Sequence, residues 1–247
     1  MSISGTNVLT VANYSFNSDL VTSAFTPDLS KLYLLTVVNI ATGTFPFTPA
    51  ISTTNGLTFS LITSELTGGA SDAEIWVYRA MISSGASNGT ITIGATGSIY
   101  DAFLANLDVI DGVDTSGSNG ANAIVQYAVN QGGDGTTSLA ATLGAFGSAS
   151  NGTFASAMWW NRSGFNITDT ASTGFTELCD YPGSRYNINT RWRADNNLTT
   201  TVTETDSGPG AGGKAALIAL EIKASGGGGG GGGAGQPNSM LQFGIGA

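Results

Sequence analysis

Four aspartates close together in the sequence are the first residues that could do chemistry. They are Asp101, Asp108, Asp111 and Asp114. Carboxylate oxygens are ligands that Ca²⁺ accepts in flexible arrays. The spacing lacks the D-x-D-x-D-G pattern of an EF-hand loop, and Asp before Gly is an ordinary turn residue. We therefore interpret these residues as solvated strand ends and turns, and predict neither a metal nor a cofactor.

Catalysis is disfavoured because the chain contains no histidine. This excludes Ser-His-Asp and Cys-His arrangements and the usual zinc shell. The segment Gly208-Pro-Gly-Ala-Gly-Gly-Lys214 nearly matches a phosphate-binding loop. However, Ala215 lacks the hydroxyl that would hold Mg²⁺, and the residues after the lysine alternate as a strand where such a loop needs a helix. We predict no catalytic residue and no enzymatic activity.

Aromatic side chains in the second half of the chain offer a surface on which sugars could stack. They are Trp159, Trp160, Tyr181, Tyr186 and Trp192, with Asn161, Arg162, Asn187 and Asn189 nearby. Trp159, Trp160, Tyr186 and Trp192 are the candidate glycan-binding residues. Adjacent Trp159 and Trp160 must point to opposite faces of a strand. We favour the alternative that both are packed, one in the core and one against a loop or a neighbouring subunit. Arg191 and Arg193 share a face with Asn187 and Asn189, which we interpret as a solvated strand face.

The C-terminal region has the most specific pattern. Eight consecutive glycines, Gly226 to Gly233, precede a short apolar segment. We predict a flexible tether over 225–235 and an anchoring peptide over 236–247, because a glycine run is a flexible coil. Its anchor residues are Met240, Leu241, Phe243 and Ile245. The last three alternate, as in a peptide that adds a strand to a partner's sheet. The alternative is that the tail folds back on its own body.

Composition narrows the partners and the compartment. Only 10% of the 247 residues are charged, and the net charge is −9 with no basic cluster, which disfavours nucleic-acid binding. A single cysteine, Cys179, excludes an intrachain disulfide. No run reaches the 18 apolar residues of a membrane-spanning helix, and the first residues lack the pattern of a signal peptide. We expect synthesis in the cytoplasm and no membrane partner.

Apolar and polar residues alternate with a period of two along most of the chain, which predicts an all-β fold. Gly, Asn, Asp and Pro clusters separate the strands at spacings typical of an antiparallel β-sandwich, which we expect to be jelly-roll-like. The clearest strands are 32–40, 74–81, 90–93, 102–110, 123–129, 153–160, 175–178, 186–194, 199–203 and 215–222.

Two kinds of strand can be distinguished by their faces. Leu32–Ile40 and Ala215–Ile222 are apolar on both faces, as expected of central, covered strands. In 102–110, residues Phe103, Ala105, Leu107 and Val109 share one face while Asn106 and Asp108 lie on the other. We therefore predict that this strand has one solvated side.

A weak internal repeat relates residues 30–112 to 150–224. Gly56-Leu-Thr-Phe59 corresponds to Gly174-Phe-Thr-Glu177, Arg79 to Arg193 and Leu107 to Leu220, with offsets 174 − 56 = 118, 193 − 79 = 114 and 220 − 107 = 113. The near-constant offset favours internal duplication of one body over 1–224. The alternative is convergent strand composition.

These same segments carry a family resemblance. Gly56-Leu-Thr-Phe59, Tyr78-Arg79-Ala80, the stretch Asn106 to Asp114, Gly174-Phe-Thr, Arg191-Trp-Arg193 and the closing Ala216 to Ile222 resemble β-sandwich modules of bacteriophage virion proteins and bacterial surface proteins. The resemblance covers roughly 30–224 and carries no catalytic residue across.

The resemblance and the tail together predict a non-enzymatic phage virion protein. We expect a capsid decoration or minor head protein that is made in the host cytoplasm and forms a homo-oligomer. Its partner would be the major capsid protein or another virion subunit. The alternative is a tail- or fibre-associated module that binds a host surface glycan. A bacterial surface adhesin is a third interpretation, weakened by the absence of a signal-peptide pattern.

Overall fold

Among the residues that the structure describes, the fold consists of antiparallel β-strands and one short 3₁₀ helix, Ser118–Ala123. The computed structural model describes residues 3–14, 18–40, 48–67, 73–94, 102–160, 172–182, 186–194, 201–205 and 213–226. The strands are β1 Ser4–Asn13, β2 Leu20–Val21, β3 Leu32–Ile40, β4 Ala50–Thr53, β5 Ser60–Leu66, β6 Ala73–Ala80, β7 Ile91–Gly94, β8 Ala102–Asp111, β9 Ile124–Thr136, β10 Ser138–Thr142, β11 Gly152–Trp160, β12 Thr176–Pro182, β13 Tyr186–Arg193, β14 Thr201–Thr205 and β15 Gly213–Ile222. The predicted all-β class is confirmed.

Two five-stranded antiparallel sheets form most of the structure. The strand order is β1-β8-β3-β6-β5 in the first sheet and β12-β13-β11-β15-β9 in the second. A three-stranded sheet, β2-β7-β4, and a two-stranded sheet, β10-β14, complete the described strands. Each five-stranded sheet therefore has two edge strands, β1 and β5 in the first and β12 and β9 in the second.

Hydrophobic side chains cover both faces of each five-stranded sheet. One cluster takes residues from both sheets, including Leu34 of β3 and Phe154 of β11, so the two sheets face each other across it. A second cluster joins the other face of the first sheet, at Trp76, to Ile93 of the three-stranded sheet. A third joins the other face of the second sheet to Leu139 of β10.

The central strands are those that the sequence predicts. β3 lies between β8 and β6, and β15 lies between β11 and β9. Every residue of both strands is buried. An apolar run on both faces is stable only where both faces are covered, so the prediction for these two strands is confirmed.

The solvated side predicted for β8 is wrong. Asn106 and Asp108 are fully buried, because they point into the space between the two five-stranded sheets. Their polar groups are bonded to one another and to other polar side chains, which satisfies them without water. Alternation of polar and apolar residues does not distinguish a solvated face from a buried, internally bonded one.

The two five-stranded sheets have the same strand order when strands are matched along the chain. β1, β8, β3, β6 and β5 correspond to β9, β15, β11, β13 and β12. A bulge interrupts the β5–β6 pairing at Ile62, and one interrupts the β12–β13 pairing at Leu178. Gly56 and Gly174, which precede these edge strands, have φ angles of 90° and 86°. The correspondence thus extends to local irregularities.

The pairing registers match positions in the two sheets with an offset that differs by one residue from the offset obtained from the sequence. Leu34 and Phe154 both point into the shared cluster, which sets an offset of 154 − 34 = 120 for the central strands. Leu34 pairs with Arg79, and Phe154 pairs with Trp192, so the β6–β13 offset is 192 − 79 = 113. The bulge partners Tyr78 and Arg191 give the same value, 191 − 78 = 113. Matching Arg79 to Arg193 would exchange the faces, because side chains alternate along a strand.

The observed bounds of the central strands agree with the bounds predicted from the sequence to within a few residues, and the agreement is poorer for the other strands. β1, β2, β4, β5 and β10 have no counterpart among the predicted strands. These are edge or outer-layer strands. β1, β5 and β10 contain many Ser, Thr or Asn residues, and β2 and β4 are too short to show a period of two. The anchor residues Met240, Leu241, Phe243 and Ile245 lie outside the described residues.

Candidate functional site

A group of bonded polar side chains lies between the two five-stranded sheets, at the side where β1 and β12 meet. The side-chain oxygen of Asn106 accepts hydrogen bonds from Asn7 and Thr10, both at 2.6 Å. Its amide donates to Asp108 at 2.7 Å and to the Thr190 hydroxyl at 2.9 Å. Asn7 donates to Asp108 at 3.1 Å. The Asp108 carboxylate therefore accepts hydrogen bonds from side chains of the protein in place of those that water would donate to an exposed carboxylate.

Burial dominates the titration of Asp108. It raises the pKa of this carboxyl to about 6, while hydrogen bonds from Thr190, Asn7 and Asn106 act in the opposite direction. Removal from water penalises the charged form, and donors aimed at the carboxylate stabilise it. Because the group is fully buried, it cannot exchange protons directly with a bound substrate. We assign it a structural role between the sheets.

The single cysteine borders the same group. The Thr10 hydroxyl lies 3.2 Å from the sulfur of Cys179. Burial raises the pKa of the thiol to about 12, so the reactive thiolate is scarce at neutral pH. Cys179 is therefore suited to packing rather than to nucleophilic chemistry.

The four candidate glycan-binding residues are buried. Their exposed fractions are 0% for Trp159, 8% for Trp160, 8% for Tyr186 and 3% for Trp192. Trp160, Tyr186 and Trp192 belong to the cluster shared by the two sheets, while Trp159 belongs to the cluster on the opposite face. The prediction that Trp159 and Trp160 pack on opposite faces is confirmed. In this arrangement the four rings are part of the core and present no open face to a sugar.

The polar row on β13 is buried, so the predicted solvated face is wrong. Asn187, Asn189 and Arg191 have no exposed surface. Asn189 accepts two bonds from the Arg191 guanidinium, at 2.9 and 2.5 Å. Asn187 accepts the backbone N–H of Trp159 at 2.8 Å. A buried cation needs bonded oxygens in place of water, and Asn189 supplies one of them.

The first sheet holds a buried polar pair at the positions that correspond to Trp159 and Asn187 of the second sheet. Asn39 and Glu74 are directly opposed across β3 and β6. They match Trp159 and Asn187 by the offsets 159 − 39 = 120 and 187 − 74 = 113. Burial raises the pKa of Glu74 to about 7. The sequence signal for such positions is a polar residue at the end of an otherwise apolar central strand, which our sequence analysis did not use.

A third buried carboxylate, Glu221 on β15, was also missed. Its oxygens accept bonds from Gln126 at 2.5 Å, from Asn151 at 2.6 Å and from the backbone N–H of Gly147 at 3.0 Å. Glu221 is fully buried. It ties the loop before β11 to β9, which is a structural task.

The aspartates considered as Ca²⁺ ligands point in different directions. Asp108 is internal, Asp111 lies 3.6 Å from Lys31, and Asp114 lies 2.7 Å from Lys223. Asp101 lies outside the described residues. Within the described ranges, no group of three or more His, Cys, Asp or Glu residues is placed to hold a metal ion.

Lys214, the lysine of the phosphate-loop-like segment, is the second residue of β15. Its ammonium lies 5.2 Å from the centroid of the Trp160 ring, within the range of a cation–π contact. The prediction that the residues after this lysine form a strand is confirmed, and residues 208–212 lie outside the described residues.

The chain leaves the body at one defined place. The backbone N–H of Lys223 donates to Ala123 at 2.8 Å, and that of Ser225 donates to Gly112 at 2.7 Å. Lys223 also pairs with Asp114 at 2.7 Å. The glycine run therefore begins beside Gly112 and Ala123, which follow β8 and precede β9, and Ser4 of β1, which pairs with Asp111, lies at the same end.

An apolar stripe is exposed on β9. Val125, Tyr127 and Val129 are 44%, 53% and 38% exposed. Among the described strands, β9 pairs only with β15, which leaves its other edge free of strand pairing. Exposed apolar side chains on an unpaired edge strand are typical of an interaction surface.

The chain matches no family model, no curated protein and no solved structure. No helix among the described residues has the length and apolar character needed to cross a membrane. Its function is therefore inferred from its own geometry.

Proposed function

We propose that this chain is a non-enzymatic structural protein of a phage virion, most specifically a capsid decoration or minor head protein. It attaches to neighbouring subunits, such as the major capsid protein, through its C-terminal arm. The body is a duplicated β-sandwich in which each half contributes one five-stranded sheet. The equal strand orders, the matched bulges at Ile62 and Leu178 and the cluster shared by the sheets support this duplication.

The observation that carries the proposal is the place where the arm begins. Ser225 is bonded to Gly112, the residue after β8, and eight glycines and an alternating apolar segment follow. A tether of ten residues, 226–235, can extend about 35 Å, which is enough to reach a neighbouring subunit. Many arms on one lattice would add weak contacts through high effective concentration.

The character of the internal polar groups also supports a structural role. Asp108 and Glu221, both fully buried, are bonded to amides of the same chain. A catalytic carboxylate needs contact with the reacting atoms. These two buried carboxylates are therefore suited to holding the fold together rather than to catalysis.

The test is the location and copy number of the protein on purified particles. Hundreds of copies on the shell are expected. A chain lacking 226–247 should fold normally, as judged by circular dichroism and thermal unfolding, yet be lost from particles. A full-length control with Leu241→Ser, Phe243→Ser and Ile245→Ser keeps the tether length and should also be lost.

Two outcomes would contradict the proposal. Undiminished occupancy of the truncated chain would contradict anchoring by the arm, and absence of the full-length chain from particles would contradict the virion role. A few copies located at the tail would favour the glycan-binding alternative, for which the buried state of Trp159, Trp160, Tyr186 and Trp192 offers no support.

A further inference from the structure

We propose that the free edge of β9, with its stripe Val125, Tyr127 and Val129, receives the C-terminal segment 236–247 of a second copy of this chain. The inference rests on the proposed anchoring function and names the receiving surface. It predicts that the C-terminal arm of one copy binds the β9 edge of another copy, in addition to the contacts that place the copies on a particle.

The stripe is an uncovered continuation of the core. Tyr127 pairs with Leu220, and Val129 pairs with Ile218. Leu220 and Ile218 are fully buried in the cluster between the sheets. Side chains directly opposed in neighbouring strands share a face, so the stripe extends this apolar face outward until it meets solvent.

The corresponding edge strand of the first sheet lacks such a stripe. Strand matching relates Tyr127 to Asn7, which pairs with Asp108, and Val129 to Thr10, which pairs with Asn106. Asn7 and Thr10 are half-buried and hydrogen-bonded to Asn106. The edge at β1 is therefore bonded internally, whereas β9, which contacts β5 and β10, still presents exposed apolar side chains that another segment can cover.

The arm has the chemistry and the reach to cover it. Leu241, Phe243 and Ile245 alternate, so an extended segment would place all three on one face. That face can pack on the β9 stripe while the backbone pairs with the free edge, as in strand addition by peptides. Val125 to Val129 spans about 14 Å in an extended strand, a length that these three residues can match.

The length of the tether favours a second copy as the donor. The arm begins beside Ala123, the residue before β9. Returning to the free side of β9 in the same chain requires crossing about 10 Å, two strand spacings, which about three extended residues can span. The ten residues 226–235 greatly exceed this, and their reach of about 35 Å suits a neighbouring body.

The experiment uses full-length chains carrying Cys179→Ser, so that introduced cysteines are the only thiols. One preparation carries Tyr127→Cys and the other, isotopically labelled, carries Phe243→Cys. After mixing and mild oxidation, mass spectrometry should find a labelled–unlabelled disulfide dimer. In the matched control, the first preparation carries Tyr14→Cys and keeps Tyr127. Tyr14 is 50% exposed and contacts Tyr186 on the β1–β12 side, and this pair should give at least about tenfold less mixed dimer.

Each remaining outcome overturns the inference in a distinguishable way. A chain with both Tyr127→Cys and Phe243→Cys that cross-links only within itself would show that the arm folds back on its own body. Absence of any Tyr127–Phe243 cross-link would remove β9 as the receiving surface. If arm changes abolish particle occupancy while these cross-links are absent, the anchoring function stands and its receptor is another protein.

Discussion

Asn106 of β8 donates a hydrogen bond to the hydroxyl of Thr190 of β13 at 2.9 Å, and this bond joins the two five-stranded sheets. Both residues are fully buried. Asn106 also donates to Asp108 at 2.7 Å, so one amide connects the carboxylate of one sheet to the hydroxyl of the other. Such a bond fixes the relative position of the sheets, because a shift would leave buried polar groups unpaired.

The pH dependence of stability should carry the signature of Asp108. Its pKa rises from the usual 3.8 to about 6 in the folded protein, so the folded state holds the proton more tightly than the unfolded chain. This contribution to stability is complete below about pH 3.8 and is lost as the pH rises through about 6. The loss is at most about 1.4 kcal/mol per pH unit for one proton.

The measurement is urea unfolding between pH 4 and pH 8, comparing the parent with Asp108→Asn. Glu74 contributes in the same direction up to about pH 7, so the difference between the two proteins is the relevant quantity. The variant should show a flatter pH dependence between pH 4 and 6, and exposed Glu177→Gln should retain the parent slope. An unchanged slope in Asp108→Asn would contradict the assignment.

Gly152 should tolerate no side chain, because it lies against a buried indole. A Cβ at this position would meet the Trp192 ring at 2.4 Å and the Arg193 carbonyl oxygen at 2.9 Å. We expect Gly152→Ala to lower the free energy of unfolding by about 1–3 kcal/mol through overpacking. Gly147→Ala is the matched control, since its nearest atoms would be 4.0 Å away. Equal stabilities of the two variants in chemical denaturation would refute this packing.

Cys179 should be unreactive in the folded protein. It is 8% exposed, and burial raises the pKa of its thiol to about 12. At pH 8 we expect a thiol reagent to modify the native chain at least about a hundredfold more slowly than the urea-unfolded chain, since the thiolate is the reacting species. Comparable rates in the two states would show that the β1–β12 side opens readily.

The ion pair between Asp114 and Lys223 should hold the start of the arm. Hydrogen bonds from Lys223 and Ser116 lower the pKa of Asp114 from 3.8 to about 2. A lowered carboxyl pKa stabilises the folded state above about pH 3.8, and this contribution is lost as the pH falls through about 2. Lys223 is 43% exposed, so the effect on global stability should stay below about 1 kcal/mol.

Hydrogen exchange at the Ser225 amide is the sensitive measurement, because this amide donates to Gly112. Lys223→Met should speed its exchange several-fold at pH 7. Lys223→Arg, which keeps a cation opposite the Asp114 carboxylate, should leave it unchanged. Equal exchange in both variants would indicate that backbone bonds alone fix the arm's start.

Several elements of the fold could be predicted from the sequence. Continuous apolar runs identified β3 and β15 as central strands, since only a strand covered on both faces can hold such a run. Corresponding positions in the two five-stranded sheets could be matched from the sequence, but only to within one residue. The face on which each arginine lies depends on the residue opposite it, Leu34 for Arg79 and Thr153 for Arg193. Because similar side chains occur on both faces of the sheets, the sequence does not specify that pairing.

The polar groups were harder to place. Asn106, Asp108, Asn187 and Arg191 were all interpreted as solvated and are all buried. A polar residue in an alternating strand indicates only that its face differs from the apolar one. Whether that face meets water or another sheet depends on long-range packing. The packing of Trp159 and Trp160 on opposite faces could be predicted, because it follows from strand geometry alone.

Residue types and their spacing were enough to establish the all-β class, the two central strands, the lack of histidine and the alternation of apolar residues in the arm. These depend on residue type and on a local period of two, which hold wherever the strand lies. Packing between distant segments is what buries Asp108 between two sheets, places the four aromatic candidates in the core and leaves Tyr127 open to solvent. Burial is a property of the contacts between distant segments, and local spacing does not specify those contacts.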